Sequence, residues 1–360
     1  MKKYMFVIPT LTTGGAERVV SILATALSEC GQSVYVVKYY GSDNEYPVGD
    51  SVIQINMFGS DRSAYEDMSY IKKVTTLRST IKKVQPDYVI PFLFQVALCT
   101  DFAVKGLKVD VFQSMRIDPA MSPKSRILRL IRDHLVYKSK CTFVQNEKQR
   151  LYFKPKARRK INIIYNPVSK EMFSIKPRYS NEKYTICSAG RLEKQKNIRL
   201  LIDSFEAVFA ENEGVILNIY GEGSQKSDLE DYISTKQAAS RILLKGRSND
   251  IVQVFENSDL FVLSSDFEGM PNALIEAMAC GLPCISTDCP TGPAELINDK
   301  QNGILVPVRD VEALANALNE MYMNQSSAKD MGIMAQKTIE SKCNSELIAR
   351  QMIQICESIK

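Results

Sequence analysis

Short apolar segments alternate with longer amphipathic segments along almost the whole chain of 360 residues. The pattern opens with an apolar segment at Tyr4–Ile8, an amphipathic segment at Ala16–Glu29 and a second apolar segment at Ser33–Tyr39. Continuous apolar runs are typical of strands buried on both faces, and strands connected by helices run parallel. The alternation therefore predicts an α/β fold of doubly wound parallel sheets with helices on both faces.

One interruption divides this pattern into two halves. Pro167, Pro177 and mixed polar residues occupy 167–182, which we interpret as a linker. A chain of this length is also accommodated better by two domains than by one. We therefore predict one Rossmann-like domain over 1–166 and a second over 183–345. Residues 346–360 are predicted to form a C-terminal helix that crosses back to the first domain.

The composition excludes several classes of protein. With 45% apolar and 24% charged residues the chain is globular, and no stretch has the uncharged length of a transmembrane helix. Nine cysteines without a Cys-x-x-Cys pair and a single histidine, His134, predict that no metal is bound and favour a reducing compartment. Pro9 and Gly14 interrupt the apolar N-terminus too early for a signal peptide. The sequence predicts a cytoplasmic protein and leaves attachment to a membrane surface open.

Basic residues are concentrated in one part of the first half. Thirteen lysines and arginines lie between Lys124 and Lys160, against only Asp133 and Glu147. This excess indicates an anionic partner, for which a lipid headgroup, a phosphate-bearing substrate and a nucleic acid are all candidates. A nucleic acid is disfavoured because aromatic residues are not interleaved with the basic ones.

Two glutamates frame the start of a helix in the second half. The apolar segment Leu260–Leu263 predicts a buried strand, and Pro271 suits the first turn of a helix over Met270–Ala279. Glu268 then lies in the loop between strand and helix, and Glu276 lies about two turns further on. In a doubly wound sheet this loop is at the ligand-binding edge. Two carboxylates beside a helix N-terminus suit a sugar with hydroxyls and a phosphate.

Three further loops follow predicted strands and are expected at ligand-facing edges. Arg191 and Lys196 can both reach a diphosphate, although such a pair on its own is usually a solvated surface. Adjacent glycines at Gly14 and Gly15 allow a close approach of backbone to phosphate, or a tight turn only. Neither these nor the Gly221–Gly223 pair has the third glycine of a dinucleotide-binding motif.

Together these motifs resemble the family 4 retaining glycosyltransferases of the GT-B architecture, bacterial surface-polysaccharide type. The resemblance covers nearly the whole chain, and its most specific part is Glu268-x7-Glu276 within Glu-Gly-Met-Pro-Asn. It implies two Rossmann-like domains that face each other across a cleft containing the active site. It further implies transfer of a hexose-type sugar from a nucleotide sugar, with a UDP-sugar expected, to a lipid-linked saccharide or growing surface polysaccharide.

The resemblance also implies roles for individual residues. Arg191 and Lys196 would hold the donor diphosphate and stabilise its departing charge, and Glu268 would bind a hydroxyl of the sugar. Glu276 would bind the ribose, the segment from Arg247 to Ile251 would flank the nucleobase, and Gly15 would approach when the cleft closes. The implied donor-binding residues are Gly14, Gly15, Gly221, Gly223, Arg247, Ser248, Asn249, Ile251, Gly269, Met270, Pro271, Asn272, Leu274 and Glu276.

The sequence departs from the family at one position. Where many relatives carry a histidine close to the reacting sugar, this chain has Arg116, which cannot act as a base. Arg116 and Asp118 are therefore candidates for the acceptor side. No metal or cofactor is implied, since the nucleotide sugar is a substrate. Two alternatives stay open: a nucleotide-sugar epimerase of the same architecture, and a non-catalytic nucleotide-sugar-binding subunit of a transferase complex.

The basic helix predicted over 124–139 has two interpretations. Its apolar residues can face the core while its basic residues are solvated, and we favour this interpretation. Alternatively, the helix lies on an anionic membrane surface, at the inner face of the cell membrane, and receives a lipid-linked acceptor. Its apolar residues are Ile127, Leu128, Leu130, Ile131, Leu135 and Val136.

Overall fold

The structure is a computed structural model that describes residues 1–12, 14–60, 62–178, 182–248 and 250–359. The chain divides into two compact units. The first unit comprises Met1–Pro167 and Ser345–Lys360, and the second comprises Val168–Asn344. Each unit is an α/β domain built on a parallel sheet.

The first unit contains seven strands and eight helices among its described residues. The strands are β1 Lys3–Ile8, β2 Ser33–Lys38, β3 Ile53–Asn56, β4 Tyr88–Pro91, β5 Asp110–Ser114, β6 Cys141–Val144 and β7 Ile161–Ile163. The helices are α1 Gly15–Glu29, α2 Arg62–Glu66, α3 Tyr70–Val84, α4 Phe94–Ala103, α5 Arg126–Lys138, α6 Glu147–Tyr152, α7 Pro155–Arg158 and, at the C-terminus, α15 Ser345–Ser358.

The second unit contains six strands and seven α-helices among its described residues. The strands are β8 Tyr184–Ala189, β9 Val215–Tyr220, β10 Ile242–Gly246, β11 Leu260–Leu263, β12 Cys284–Thr287 and β13 Ile304–Val306. The helices are α8 Ile198–Phe209, α9 Lys226–Ser234, α10 Ile251–Glu256, α11 Asn272–Ala279, α12 Pro293–Leu296, α13 Val311–Met323 and α14 Gln325–Cys343.

Both sheets have the strand order of a doubly wound fold, as the alternation predicted. The order is β3-β2-β1-β4-β5-β6-β7 in the first unit and β10-β9-β8-β11-β12-β13 in the second. All of these strand pairs are parallel. In each sheet the order reverses once, between β1 and β4 and between β8 and β11. Ligands of doubly wound sheets bind outside the carboxyl ends of the strands at such a reversal.

Each unit has its own apolar core. Burial of Phe205, Leu217 and Val262 between sheet and helices stabilises the second unit, each side chain by about 1.5–3 kcal/mol. In the first unit the core includes Ile348 and Met352 of α15, so the C-terminal helix packs within this unit. The second unit begins at Val168 and therefore takes in described residues of the segment that we had interpreted as a linker.

The apolar side of α5 differs from the favoured prediction. The helix buries only Arg132, Leu135 and Val136, while Ile127 and Leu130 are 71% and 70% exposed. The core-facing interpretation is therefore wrong for the first two turns. Periodicity establishes that apolar residues share a helix face, but it does not establish what covers that face.

Two helices begin at residues other than those predicted, because a proline or a capping side chain sets their first residue. α11 begins at Asn272, and Pro271 is its N-cap rather than part of its first turn. The predicted start at Met270 is wrong, because a residue that precedes proline is disfavoured in the helical region. α5 begins at Arg126 because the side chain of Ser125 accepts a hydrogen bond from the backbone N–H of Leu128.

Candidate functional site

Three of the predicted site residues meet where the strand order of the second unit reverses. The loop after β8 carries Arg191 and Lys196, and the loop after β11 carries Glu268. Since β8 and β11 are parallel neighbours, both loops leave the same edge of the sheet. The structure therefore brings together the residues that the sequence had separated.

Lys196 and Glu268 form an ion pair at this edge. The ammonium of Lys196 lies 2.6 Å from Oε1 of Glu268, and the two side chains are only 16% and 9% exposed. The hydroxyl of Ser265 donates to the same carboxylate oxygen at 2.7 Å. Burial away from bulk water strengthens such charge-assisted bonds, so the carboxylate is held in one orientation.

Backbone and side-chain hydrogen bonds join the two loops beside this pair. The N–H of Asp266 donates to the carbonyl of Gln195 at 2.8 Å. In return, the side-chain amide of Gln195 donates to the carbonyl of Phe267 at 2.7 Å, and the hydroxyl of Ser264 donates to the carbonyl of Lys196 at 2.9 Å. The position of the ammonium relative to the carboxylate therefore depends on the loops as well as on the pair itself.

A second carboxylate and a helix N-terminus lie on the same connection. Glu276 is in the second turn of α11 and only 5% exposed. The N-terminus of α11 follows Glu268, Gly269, Met270 and Pro271, and Leu274 is completely buried beneath it. The positive end of this helix favours an anionic group at the same edge.

Arg191 differs from Lys196 in its surroundings. Its side chain is exposed, and no hydrogen bond or ion pair of its guanidinium is found within the described ranges. The pKa of Glu193 is lowered mainly by hydrogen bonds from the backbone N–H and the hydroxyl of Ser224. The positive charge of Arg191 lowers the same pKa further, so this charge acts locally. The site therefore has one cation that is paired with a carboxylate and another that is open to solvent.

Gly221 and Gly223 have a packing role that the sequence did not reveal. A Cβ atom at Gly221 would lie 1.8 Å from the carbonyl oxygen of Gly190, and one at Gly223 would lie 2.3 Å from that of Leu192. The N–H of Leu192 also donates to the carbonyl of Glu222 at 2.9 Å. These glycines permit the loop after β9 to pack against the loop that carries Arg191 and Lys196. Their contact with a donor remains a prediction.

The segment after β10 follows an edge strand of the same sheet. Arg247 is exposed, the hydroxyl of Ser248 accepts from the N–H of Asp250 at 3.1 Å, and Ile251 opens α10. Asn249 lies outside the described residues. The predicted contact of this segment with a nucleobase is not tested.

In the first unit, Gly14 is the N-cap of α1 and Gly15 is the first residue of this helix, which is the next element after β1. Arg116 follows β5, where it donates to the side-chain oxygens of Ser114 at 2.8 Å and Asn166 at 2.9 Å. Burial lowers the pKa of Arg116 to about 10, so the guanidinium is still charged at neutral pH. The carboxylate of Asp118 accepts from the N–H of Ala120 at 2.8 Å and thus caps its own turn.

A cavity of about 80 Å³ adjoins Arg116. Most of its walls are apolar, with Leu93, Phe94 and Leu135 among them, and the guanidinium of Arg116 provides a charged wall. The arrangement fits a ligand that presents an apolar group beside a hydrogen-bond acceptor or an anion. Asp118 is not among the residues that line this cavity.

Several residues of the site were missed by sequence reasoning. Gln195 and Ser265 hold the Glu268 loop, and the hydroxyl of Thr291 donates to the backbone carbonyl of Glu268. Asp266 accepts from Asn197 at 2.9 Å and from Arg309 at 2.8 Å. These six are polar residues in or close to the connections that follow strands, which is the signal that could have identified them. Across the described ranges, no group of three or more potential metal ligands is found.

The second unit, which carries this site, is similar to a known protein family. Residues 169–338, nearly the whole second unit, match the family model described as "Glycosyl transferases group 1". The second unit is thus similar to this family over nearly its whole length, and the chain is a glycosyltransferase. Its two parallel-sheet domains are those of the GT-B architecture that the resemblance implied.

Relatives and solved structures agree with this assignment. This glycosyltransferase is 26% identical over 335 residues, 92% of each chain, to the Campylobacter jejuni "GalNAc-alpha-(1->4)-GalNAc-alpha-(1->3)-diNAcBac-PP-undecaprenol alpha-1,4-N-acetyl-D-galactosaminyltransferase". Its fold matches Anabaena HepE, solved in complex with UDP-glucose, with a TM-score of 0.81 at 18% identity over 99% of this chain and 100% of the other. The match to Staphylococcus aureus TarM, solved with UDP among its ligands, has the same TM-score at 15% identity and the same coverage of both chains.

Proposed function

We propose that this glycosyltransferase moves a hexose-type sugar from a UDP-sugar to a polyprenyl-linked saccharide or growing surface polysaccharide, with retention of anomeric configuration. The protein acts in the cytoplasm, at the inner face of the cell membrane. The proposal includes no metal and no nucleic-acid partner.

The observation that carries this proposal is the grouping of charges at the reversal point of the second sheet. Lys196, paired with Glu268 at 2.6 Å, shares this edge with the exposed cation Arg191 and the buried carboxylate Glu276. Two cations suit a diphosphate, and two carboxylates accept hydrogen bonds from sugar hydroxyls. Glu268 is assigned to the transferred sugar and Glu276 to the ribose.

The transfer breaks the bond between the anomeric carbon and the diphosphate oxygen. Its electron pair goes to the diphosphate, where Arg191 and Lys196 stabilise the new charge. An acceptor hydroxyl oxygen forms its bond to the anomeric carbon on the face from which the diphosphate departs. The hydroxyl proton passes to the departing diphosphate, so no side chain is needed as a base and the configuration is retained.

The choice of substrates rests on the relatives. HepE and TarM were solved with UDP-glucose and with UDP, respectively, which supports a UDP-sugar donor. The Campylobacter enzyme is named for an undecaprenol-linked saccharide, which supports a lipid-linked acceptor. Arg116, with the apolar cavity beside it, is assigned to the acceptor.

The proposal is tested by a donor screen that measures the release of nucleoside diphosphate, with extracted lipid-linked saccharides as acceptors. A UDP-sugar should give acceptor-dependent release, and NMR of the product should show the anomeric configuration of the donor. Glu276→Gln and Lys196→Ala should each remove turnover while the protein stays folded. Lys194→Ala, an exposed neighbour in the same turn, is the matched control and should leave turnover unchanged.

Three results would contradict the proposal. Full activity of Glu276→Gln or Lys196→Ala would remove these residues from the reaction. Release of UDP together with an epimerised free sugar, without any acceptor, would indicate the epimerase alternative. Binding of donor without turnover on any acceptor would indicate a non-catalytic subunit.

A further inference from the structure

The first unit exposes apolar side chains on α5 and on the loop that precedes it. We define the apolar 117–131 surface by the exposed side chains of Ile117, Met121, Ile127, Leu128, Leu130 and Ile131. Ile127 and Leu130 are the most exposed of these on the helix, at 71% and 70%. Single exposed apolar residues are ordinary on a protein surface. Ile127, Leu130 and Ile131, however, are three and four residues apart and therefore neighbours on one face of the helix, and such an exposed group marks an interaction site.

Two arginines of α5 hold this surface in place. The guanidinium of Arg129 donates to the backbone carbonyls of Pro123 and Lys124, both at 3.2 Å. The guanidinium of Arg132 donates to the carbonyls of Pro119 and Ser122. These side chains therefore fix the loop to the helix.

Basic residues lie near both ends of α5. Lys124 and Arg126 are exposed at the start of α5. At the other end of the helix, the ammonium groups of Lys156 and Lys160 lie 5.3 and 5.8 Å from the ring centroid of Tyr137. The carboxylate of Asp133 is paired with Arg132, so it offsets little of this positive charge.

We propose that the apolar 117–131 surface docks on an anionic lipid bilayer. Apolar side chains enter the boundary between headgroups and acyl chains, and Lys124, Arg126 and the lysines near Tyr137 bind the headgroups. An exposed apolar face with basic residues beside it fits an anionic membrane. The apolar side chains are complementary to the acyl chains, and the basic side chains are complementary to the anionic headgroups. Among the described residues, no helix is long and apolar enough to cross a membrane.

The inference rests on the proposed function in that it names the surface by which the enzyme reaches a lipid-linked acceptor. α5 also lines the cavity beside Arg116, through Arg132, Leu135 and Val136. The docking surface and the proposed acceptor cavity therefore share one helix. A bilayer that binds the first turns of α5 places a lipid-linked substrate next to this cavity.

The inference is tested by flotation of the full-length protein with vesicles of phosphatidylcholine alone or with added phosphatidylglycerol. The protein should float with the anionic vesicles only, and high salt should release it, since the Debye length falls from about 10 Å at 0.1 M to about 3 Å at 1 M. The double substitution Ile127→Glu/Leu130→Glu should lower the partition coefficient at least tenfold. Lys124→Ala and Arg126→Ala should each lower it about fivefold.

Matched controls distinguish binding through this surface from non-specific adsorption to vesicles. Ile71→Glu changes an apolar residue of the same unit that is 74% exposed, and Lys82→Ala removes an exposed charge of α3; both should bind like the wild type. All variants concern exposed positions, so melting temperatures should stay close to that of the wild type. Equal binding by Ile127→Glu/Leu130→Glu and Ile71→Glu, or no binding of the wild type at low salt, would overturn the inference.

Two further measurements make the outcome specific. Light scattering without lipid tests whether a second copy of the chain covers the surface instead; a dimer that is lost in Ile127→Glu, without vesicle binding, would overturn membrane docking. Turnover on a water-soluble saccharide tests the proposed function separately. Turnover without vesicle binding would refute only the docking surface, and vesicle binding without turnover would refute only the proposed function.

Discussion

The ammonium of Lys196 and the carboxylate of Glu268 lie 2.6 Å apart, although 72 residues separate them in the chain. The pair joins the loops after β8 and β11, the two strands at which the order of the sheet reverses. Lys196, assigned to the diphosphate, and Glu268, assigned to a sugar hydroxyl, therefore neutralise each other when no substrate is bound. In the proposed reaction the donor must separate this pair or bridge it.

This ion pair predicts non-additive effects of substitution. Lys196→Met and Glu268→Gln should each lower kcat/KM by about a hundredfold or more, because Lys196 is assigned to the departing diphosphate and Glu268 to a hydroxyl of the transferred sugar. A double-mutant cycle on the free energy of unfolding, measured in urea, should give a coupling of about 0.5–3 kcal/mol. Lys194→Met is the control and should change neither quantity. Strictly additive free energies would show that the pair does not interact in solution.

Gly221 is predicted to be intolerant of any side chain. Gly221→Ala places a methyl group 1.8 Å from the carbonyl oxygen of Gly190, so the loop must shift and stability should fall by about 2–4 kcal/mol. Affinity for the donor, measured by calorimetry, should fall too, because the displaced loop carries Arg191 and Lys196. Gly214→Ala is the control at an exposed position, where a methyl group would lie 3.2 Å from the side-chain oxygen of Asn212, and it should cost less than about 1 kcal/mol. Similar stability of both variants would refute this packing role.

Arg116 should affect the acceptor and not the donor. Arg116→Lys keeps the charge but loses the paired contacts with Ser114 and Asn166. We expect the KM for the acceptor to rise about tenfold, or about 1.4 kcal/mol in binding, while the KM for the donor and slow donor hydrolysis stay unchanged. Arg159→Lys, at an exposed position, is the control on a water-soluble acceptor. A change in donor KM alone would place Arg116 on the donor side.

The buried thiols predict loss of stability at alkaline pH. Burial raises the pKa of Cys141 to about 11 and the pKa values of Cys187, Cys289 and Cys343 to about 12. Above the ordinary thiol pKa of about 9 the unfolded chain releases these protons first. The free energy of unfolding should therefore fall as pH rises from about 9 toward 12, by up to about 1.4 kcal/mol per unit for each thiol.

Urea unfolding followed by circular dichroism at about pH 8 and about pH 10 measures this slope. Cys289→Ala removes one titrating thiol and should make the pH dependence shallower. A free energy of unfolding that is constant over this range would show that these thiols ionise alike in the folded and unfolded chain.

Much of the fold could be read from local pattern. The strands at Val215–Tyr220, Leu260–Leu263 and Cys284–Thr287 have the predicted bounds. Short runs rich in apolar and β-branched residues between turn residues are sufficient to predict a buried strand. Short helices such as Arg62–Glu66 and Pro155–Arg158 were not predicted. They contain too few turns for a periodicity to be recognised.

The candidate site was predicted less completely than the fold. Arg191, Lys196, Glu268 and Glu276 were identified because charged residues follow strands in motifs with a known family spacing. Gln195, Ser265 and Thr291 were not identified, since a hydrogen bond to a neighbouring loop leaves no periodic signal in the sequence. The exposure of Ile127 was also misjudged, because the same helix pattern serves a core and a membrane.

The sequence by itself determined two parallel sheets and charged loops at their carboxyl ends, because burial and helix periodicity act over a few residues. Only the tertiary structure decided that Lys196 meets Glu268 and that Gly221 must lie against Gly190. It also decided that the apolar face of α5 is left exposed in its first turns. Strand order and the packing of helices on a sheet depend on contacts between distant segments. Local patterns allow several such arrangements, and the free energy of the whole fold selects one.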